Sequence, residues 1–280
     1  MKKQIILGAG ASLLSASALA QTGVGAPTDI TVTPFVFQAI ASRNPDFDRA
    51  TYVYPEGNAR AGEINENVGD IRLDGVSING ITYTQDQILL VTGAEIVIDD
   101  AVDVQRGGAN FAAGYGIGAD VDTWVDEGVG TTTPTAEDLV ANHGNLNLTS
   151  IVATREGAGI AIFEVSFDTP TDTLLIFERG SSGDVLVSAL DENGIVLGSY
   201  KVRDGANDAG LPNDYARTGI TVTTFVQDGF LNQGQELGAV GLRFSEPVTT
   251  FRFTALQEPE DEGATRFNGA DLKIFGLLAE

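Results

Sequence analysis

The sequence predicts an all-β protein, an antiparallel β-sandwich of jelly-roll type with one short helix. Apolar and polar residues alternate along segments such as 161–167, where every second residue from Phe163 to Phe167 is apolar, as in a half-buried strand. Asn79-Gly80 and Asn193-Gly194 separate such segments, and Asn-Gly suits the positive φ angles of tight hairpin turns. Many short strands with few helical signals favour a sandwich or jelly roll.

The predicted strands are spread over the chain after residue 28. A single helix is predicted over 133–142, with Thr133 as its cap and Pro134 in the first position. Residues 100–133 lack periodicity and are predicted to form a long loop. The principal predicted strands are 29–38 (interrupted by Pro34), 51–54, 70–83 (a hairpin), 87–99 (two short strands), 161–167, 174–177, 185–190, 195–202, 248–255 and 272–275.

The first twenty residues have the pattern of a secretory signal peptide. Lys2 and Lys3 precede an apolar stretch too short to span a bilayer, and Ala18-Leu19-Ala20 forms a small-residue cleavage site. We therefore expect a secreted or cell-surface protein with a signal peptide at 1–20, a flexible leader at 21–28 and a β-sandwich domain at 29–280. A boundary between two halves near 142–150 stays open.

The charge of the chain excludes two classes of partner. The formal net charge is −23, with 39 acidic residues. Such a charge repels nucleic acid and anionic lipid, so we expect neither as a partner. No stretch after the predicted signal peptide reaches the ~20 apolar residues that span a bilayer, so we also expect no membrane insertion. The chain also has no cysteine, although an exported protein could form disulfides. Stability must therefore come from the apolar core, with bound metal as a further source.

Several blocks along the chain resemble a family of bacterial proteins. They include Phe177-Glu178-Arg179-Gly180 with Asp184, Asp70 to Gly80, and Thr154-Arg155-Glu156-Gly157. The same resemblance extends to 144–148, 189–194, 238–241 and 267–276. In these blocks the chain resembles exosortase-dependent surface proteins of the type common in cyanobacteria. The resemblance implies an exported, β-rich surface or matrix protein without an assigned enzymatic activity.

The end of the sequence departs from that family pattern. Family members usually carry a Pro-Glu-Pro sorting signal, an apolar helix and a basic tail, whereas this sequence closes on Gly276-Leu-Leu-Ala-Glu280. We therefore expect release or non-covalent assembly rather than covalent anchoring by that route. The segment 29–38 could pair with the sheet edge of a neighbouring subunit.

A charged loop is predicted between the strands 174–177 and 185–190. It contains Glu178, Arg179 and Asp184. One interpretation is a ligand-binding carboxylate pair oriented by arginine, or a cation site. The other is an ion pair that fixes the loop, with Arg179 bidentate to a carboxylate.

Acidic residues suggest a calcium site. Asp271 begins the last predicted strand, and Asp70, Asp74 or Asp48 could meet it around Ca²⁺, which needs six to eight oxygen ligands. We predict Asp70, Asp74, Asp184 and Asp271 as metal ligands. Further acidic groups are Asp120, Asp122, Asp126 and Glu127, and Asp204 with Asp208; none of these sets follows the EF-hand order.

The aromatic and histidine residues leave few routes to catalysis. His143 is the only histidine, so a Ser-His-Asp triad or a transition-metal cluster has little support, and we expect it to cap or pack the helix. Trp124 could stack on a sugar ring or be buried under its loop.

We therefore expect a non-enzymatic, self-associating structural protein of the cell surface, biofilm or extracellular matrix. A carbohydrate-binding module for extracellular polysaccharide is the alternative, and a polysaccharide-degrading enzyme is a third hypothesis.

Overall fold

A computed structural model of the chain confirms an all-β, antiparallel and sandwich-like fold with one short helix. The structure describes the following residues: 30–54, 56, 60–99, 116–118, 122, 124–126, 128, 131, 134–154, 161–204, 212–226, 230–255 and 270–278. Most of the predicted loop at 100–133 and all of the predicted signal peptide and leader lie outside them.

Most predicted strands are present, many of them with different lengths. In chain order the described strands are β1 (Val32–Phe35), β2 (Gln38–Arg43), β3 (Ile71–Ile78), β4 (Ile81–Thr84), β5 (Ile88–Leu89), β6 (Gly93–Asp99), β7 (Gly116–Gly118), β8 (Ile151–Ala153), β9 (Ala161–Arg179), β10 (Val185–Leu190), β11 (Val196–Val202), β12 (Ala216–Val226), β13 (Phe230–Ala255) and β14 (Asp271–Leu277). Of these, β7, β8 and β12 were not predicted. The predicted strand at 51–54 is wrong, because a 3-10 helix ends at Thr51 and Val53 forms only an isolated bridge with Ile64.

Two long strands, β9 and β13, join the parts of the main sheet. The first part of β9 pairs with β6 and with the end of β13, in the register Phe163↔Phe253. The second part pairs with β14 and with an earlier part of β13, in the register Ile176↔Val240. The register shifts between Arg243 and Val248, so the two parts pair as separate ladders. Strands from both sides of 142–150, β5 and β6 before it and β9 and β14 after it, belong to this one sheet.

The second part of β9 and β14 are buried on both faces. Leu174 and Ile176 belong to one apolar cluster together with residues of β10 and of the first part of β9. Leu175 and Phe177 belong to a second cluster, which includes residues of β3 and β4. A strand with apolar partners on both faces has no polar face, and this explains the continuous apolar run at 174–177 and the mostly apolar run at 272–277, which Lys273 alone interrupts with a charged residue.

A separate three-stranded sheet, in the order β2-β3-β4, packs on the second cluster. The predicted hairpin at Asn79-Gly80 is confirmed, because both residues have positive φ (52° and 84°). The Asn193-Gly194 pair behaves differently. Only Gly194 has a positive φ there (75°), and the Asp191 carboxylate accepts hydrogen bonds from the backbone of Asn193 and Ile195.

The predicted strand at 29–38 is two strands. Pro34 lies in β1, which pairs with β13 of the same chain in the register Val32↔Phe244, and β2 then pairs with β3. Phe35 and Gly241 face each other in this ladder, and the aromatic ring occupies the space that a Cβ atom on Gly241 would take. This close approach requires glycine at 241.

The helix α1 spans Ala136–His143 and begins later than predicted. Thr135, rather than Thr133, is its N-cap, and the side chains of Thr135 and Asp138 form a reciprocal capping box. The predicted end is confirmed, because Gly144 follows as the C-cap. Among the described residues, no helix has the length and apolar character needed to cross a membrane.

Candidate functional site

The predicted charged loop begins two residues later than expected, because β9 continues through Arg179. Glu178 lies opposite Gly238 of β13 and Leu272 of β14, between two strands. The strand position buries both Glu178 and Arg179, which are 0 % and 6 % exposed. These side chains therefore belong to the interior of the sheet rather than to a surface loop.

Arg179 forms an ion pair with Asp271 at the start of β14. Its Nη2 lies 2.6 Å from Asp271 Oδ2, and its Nη1 donates a hydrogen bond to the Thr224 hydroxyl. The contact with each partner is made by one nitrogen, so the guanidinium bridges β14 and β12 instead of clamping one carboxylate with two bonds. Of the two interpretations of the loop, this geometry agrees with an ion pair that fixes the structure.

Glu178 is held by backbone amides rather than by the arginine beside it. Its Oε2 accepts from the Ser182 amide at 3.0 Å, and its Oε1 accepts a longer bond of 3.4 Å from the Asp271 amide. Burial, followed by the nearby Asp271 carboxylate, raises the pKa of Glu178 well above its usual range, and the two amide bonds only partly oppose this. Glu178 therefore favours the protonated form more than an exposed glutamate does.

The other end of the loop is fixed around Asp184. Its Oδ1 accepts from the Asp204 amide at 2.8 Å, and its Oδ2 lies 3.3 Å from Lys201 Nζ on β11. The Tyr215 hydroxyl donates to the Gly183 carbonyl at 2.9 Å. Burial raises the pKa of Tyr215 well above its usual range, and the surrounding carboxylates add to this, so the phenol stays protonated and remains a donor.

The four predicted calcium ligands have different partners. Asp271 binds Arg179, and Asp184 binds Lys201. Asp74 forms an ion pair of 2.8 Å with Arg72, and the Asp70 carboxylate accepts from Asn147 and from the Val125 amide, both at 2.7 Å. Within the described part of the chain, no three histidine, cysteine or acidic residues lie together in an arrangement that could hold a metal ion.

Only some of the remaining acidic residues that were considered as metal ligands belong to the described part of the chain. Asp48 caps a short 3-10 helix by accepting from the Ala50 amide. Asp122 is buried and accepts from the Asn44 side-chain amide at 2.9 and 3.0 Å. Asp126 is exposed. Asp120, Glu127 and Asp208 lie outside the described residues.

Trp124 lies half-buried beside a polar surface patch. The Arg72 guanidinium is 4.6 Å from the centre of the indole ring, within the range of a cation–π contact. Asp74 binds Arg72 at 2.8 Å and also accepts from Gln85 at 3.1 Å. We call Trp124, Arg72, Asp74 and Gln85 the tryptophan patch. The buried Asp70 holds this region in place, because its carboxylate accepts a hydrogen bond from the backbone amide of Val125, the residue after the tryptophan.

A buried polar group near α1 is not predicted by the sequence analysis. Lys273 is fully buried on β14, and its Nζ donates to the Asn142 carbonyl and to Asn145 Oδ1. His143 is buried beside it and stacks on Phe163 with ring centres 6.3 Å apart, so it packs the helix against the core. Neither nitrogen of His143 has a hydrogen-bond partner within the described structure.

Burial controls the protonation of this group. Desolvation lowers the pKa of Lys273 well below its usual range, and desolvation with the nearby Lys273 charge does the same to His143. The signal in the sequence was a lysine inside the apolar run Leu272-Lys273-Ile274-Phe275. This pattern shows that a lysine lies within an apolar strand, but it does not identify the partners of the lysine, which lie more than a hundred residues away along the chain.

A comparison of the sequence with protein-family models finds no match, and a comparison with curated proteins also finds none.

Proposed function

We propose that this protein is a secreted structural protein of a bacterial surface or extracellular matrix, without an enzymatic role, as its resemblance to exosortase-dependent surface proteins implies. The observation that supports this most is the inward direction of Glu178, Arg179 and Asp271. Residues that bind a ligand must reach it, whereas these three are taken up by contacts between β9, β12 and β14. A network of this kind supports a scaffold role.

Self-association is the second part of the proposal, and exposed apolar side chains support it. Ile195 and Val196 are 59 % and 42 % exposed at the turn that leads into β11, the terminal strand of the main sheet order. Val36, between β1 and β2, is 63 % exposed. The segment 29–38 is a weaker candidate for pairing with another subunit, because β1 already pairs with β13 of its own chain.

Calcium remains part of the proposal as an assembly factor. With a net charge of −23, molecules of this protein repel one another, and divalent cations reduce such repulsion. Bridging between carboxylates of neighbouring molecules would not require a complete ligand set in one chain. A dependence of assembly on calcium, without a large effect on unfolding, would agree with this role.

The test is light scattering of the purified protein over a range of concentrations, with calcium and then with chelator. The proposal predicts growth of particle size with concentration and calcium. Ile195→Lys should reduce it, whereas Asn193→Lys, which adds the same single charge in the same turn without removing an apolar group, should reduce it less. Monodisperse monomers under every condition would refute the assembly role.

The alternative function is carbohydrate binding, and the tryptophan patch favours it. An aromatic ring beside arginine, aspartate and glutamine side chains offers a stacking surface together with hydrogen-bond donors and acceptors. Binding to a panel of polysaccharides should disappear in Trp124→Ala and persist in Ile195→Ala. If the unchanged protein binds no polysaccharide, the carbohydrate-binding alternative fails. The third hypothesis, a polysaccharide-degrading enzyme, is tested by measuring the sugars that the protein releases from the same panel.

A further inference from the structure

Lys273 and Asn145 form an unusual buried contact. Both residues are buried, at 0 % and 7 % exposure, and Lys273 Nζ lies 2.8 Å from Asn145 Oδ1. Buried lysines are normally paired with a carboxylate, but the two hydrogen bonds made by this ammonium go to amide oxygens, those of Asn142 and Asn145. The contact joins the segment after α1 to the last strand, β14.

The geometry brings the amine close to an electrophilic carbon. A carbonyl bond is about 1.23 Å long, so Asn145 Cγ lies within roughly 4 Å of Lys273 Nζ. This is close to the separation of about 3–3.5 Å at which reacting atoms are held before attack.

The side-chain amide of Asn145 is fixed and polarised by its surroundings. Its Oδ1 accepts a hydrogen bond of 2.9 Å from the Asn147 backbone amide, which stabilises negative charge developing on that oxygen. Its Nδ2 donates to the Ala141 carbonyl at 2.7 Å and to the Asn142 carbonyl at 3.1 Å. All three contacts hold the amide plane in place while the amine approaches.

The amine is prepared for attack by its environment. Desolvation lowers the pKa of Lys273 well below its usual range, so the neutral form with a free electron pair is more populated than in an exposed lysine. Water is also kept away, because both residues are enclosed. Hydrolysis therefore does not compete with the amine at this carbon.

From this arrangement we propose that Lys273 and Asn145 react in the folded protein to form an intramolecular isopeptide bond. The Nζ electron pair forms a bond to Asn145 Cγ, and the Cγ–Nδ2 bond breaks. One proton passes from Nζ to the departing nitrogen, so neutral ammonia leaves and no oxidant or cofactor is consumed. The product is an amide cross-link between the α1–β8 connection and β14.

The cross-link gives a cysteine-free chain a covalent brace. The chain contains no cysteine and so cannot form a disulfide. An isopeptide bond between positions 145 and 273 would close a long loop and restrict the unfolded state in the same way as a disulfide, and it would resist reduction. It would stabilise the fold whether the protein assembles into a matrix or binds a polysaccharide.

Peptide mapping by mass spectrometry tests the proposal. Trypsin cuts after arginine and lysine, so Asn145 lies in the peptide 107–155, and a modified Lys273 stays uncut within 267–280. We expect these two peptides to be joined, with a mass lower than their sum by one ammonia. Lys273→Arg and Asn145→Ala should each give separate peptides.

One side reaction needs to be distinguished. Succinimide formation at Asn-Gly pairs, such as Asn79-Gly80 and Asn268-Gly269, also releases ammonia, but it joins no two peptides and it reverses to a free acid on mild alkaline treatment. A joined pair that survives this treatment establishes the cross-link. Separate 107–155 and 267–273 peptides at full mass, from folded protein after prolonged incubation, would overturn the proposal, and this result does not depend on any variant folding.

Discussion

Arg179 and Asp271 form a buried ion pair whose partners are 92 residues apart in sequence, with Nη2 and Oδ2 separated by 2.6 Å. The pair connects the end of β9 with the beginning of β14, and the bond from Arg179 to Thr224 extends it to β12. The two side chains are only 6 % and 17 % exposed, so each charge has lost most of its contact with water and depends on the other for its stability. The charged loop, for which the sequence allows either a ligand or cation site or an ion pair that fixes the loop, therefore begins with a structural contact.

Asp70 positions the tryptophan patch, and the single tryptophan of the chain makes this testable. Asp70→Ala removes the acceptor of the Val125 amide and leaves buried donors without partners, which costs about 1–3 kcal/mol in the free energy of unfolding. We expect Trp124 to become more exposed. Its fluorescence should shift to longer wavelength and be quenched more strongly by acrylamide.

The matched control for this experiment is Asp172→Ala. Asp172 is likewise a hydrogen-bond acceptor, here of the Arg243 side chain at 3.2 Å, but that pair is partly exposed and does not belong to the tryptophan patch. The control should leave the emission maximum unchanged. Equal spectra for Asp70→Ala and the unchanged protein would mean that Asp70 does not hold this segment.

His143 should lower the stability of the protein in acid. Its pKa in the folded state lies well below the unfolded value of 6.5, chiefly because of burial. Below pH 6.5 the unfolded chain therefore binds a proton at this histidine that the folded chain does not, so stability is lost as the pH falls from 6.5 towards the folded pKa. Above pH 6.5 the effect disappears.

His143→Phe should remove this dependence. Phenylalanine preserves the stacking on Phe163 and has no nitrogen to leave without a partner. Relative to the unchanged protein, the variant should gain up to about 2 kcal/mol in unfolding free energy at pH 5, and much less at pH 8. Urea unfolding at both pH values measures this. A difference of equal size at pH 5 and pH 8 would show that the histidine does not titrate as argued.

Gly241 should be essential for the position of β1. A methyl group at this position would overlap the ring of Phe35 in the facing strand. We expect Gly241→Ala to lower the unfolding free energy by about 1–3 kcal/mol, the usual range for overpacking. The double variant Gly241→Ala with Phe35→Ala should then be less destabilised than the sum of the two single variants, as measured by chemical denaturation. If the losses of unfolding free energy are additive, the cost of Gly241→Ala does not come from the contact with Phe35.

The sequence predicts local structure well where the signal is local. The strand at 185–190, the hairpin at Asn79-Gly80 and the end of the helix at Gly144 each depend on neighbouring residues, and the structure confirms them. The jelly-roll topology is a more specific prediction than the sandwich-like antiparallel fold that the structure establishes.

The candidate site could be predicted only in part, because its contacts are distant in sequence. Glu178 and Arg179 resemble loop residues because they are charged and precede Gly180. Within the sheet, however, Asp271 and Thr224 pair with Arg179, and the backbone amides of Ser182 and Asp271 hold Glu178. Lys273 was hidden for the same reason, because its acceptors on Asn142 and Asn145 lie 131 and 128 residues away. No spacing pattern within one segment reveals such pairs.

A double-mutant cycle on Arg179 and Asp271 tests most directly whether the charged loop is a structural brace. Arg179→Met alone should cost about 3–5 kcal/mol of unfolding free energy, because it leaves a buried carboxylate unpaired. Arg179→Met with Asp271→Leu should cost much less than the sum of the two single changes. In the control pair, Arg243→Met should cost less than about 1 kcal/mol, since that arginine side chain is 48 % exposed. Stability unchanged or increased in Arg179→Met would contradict the account and indicate a binding site, where charges are retained at the expense of stability.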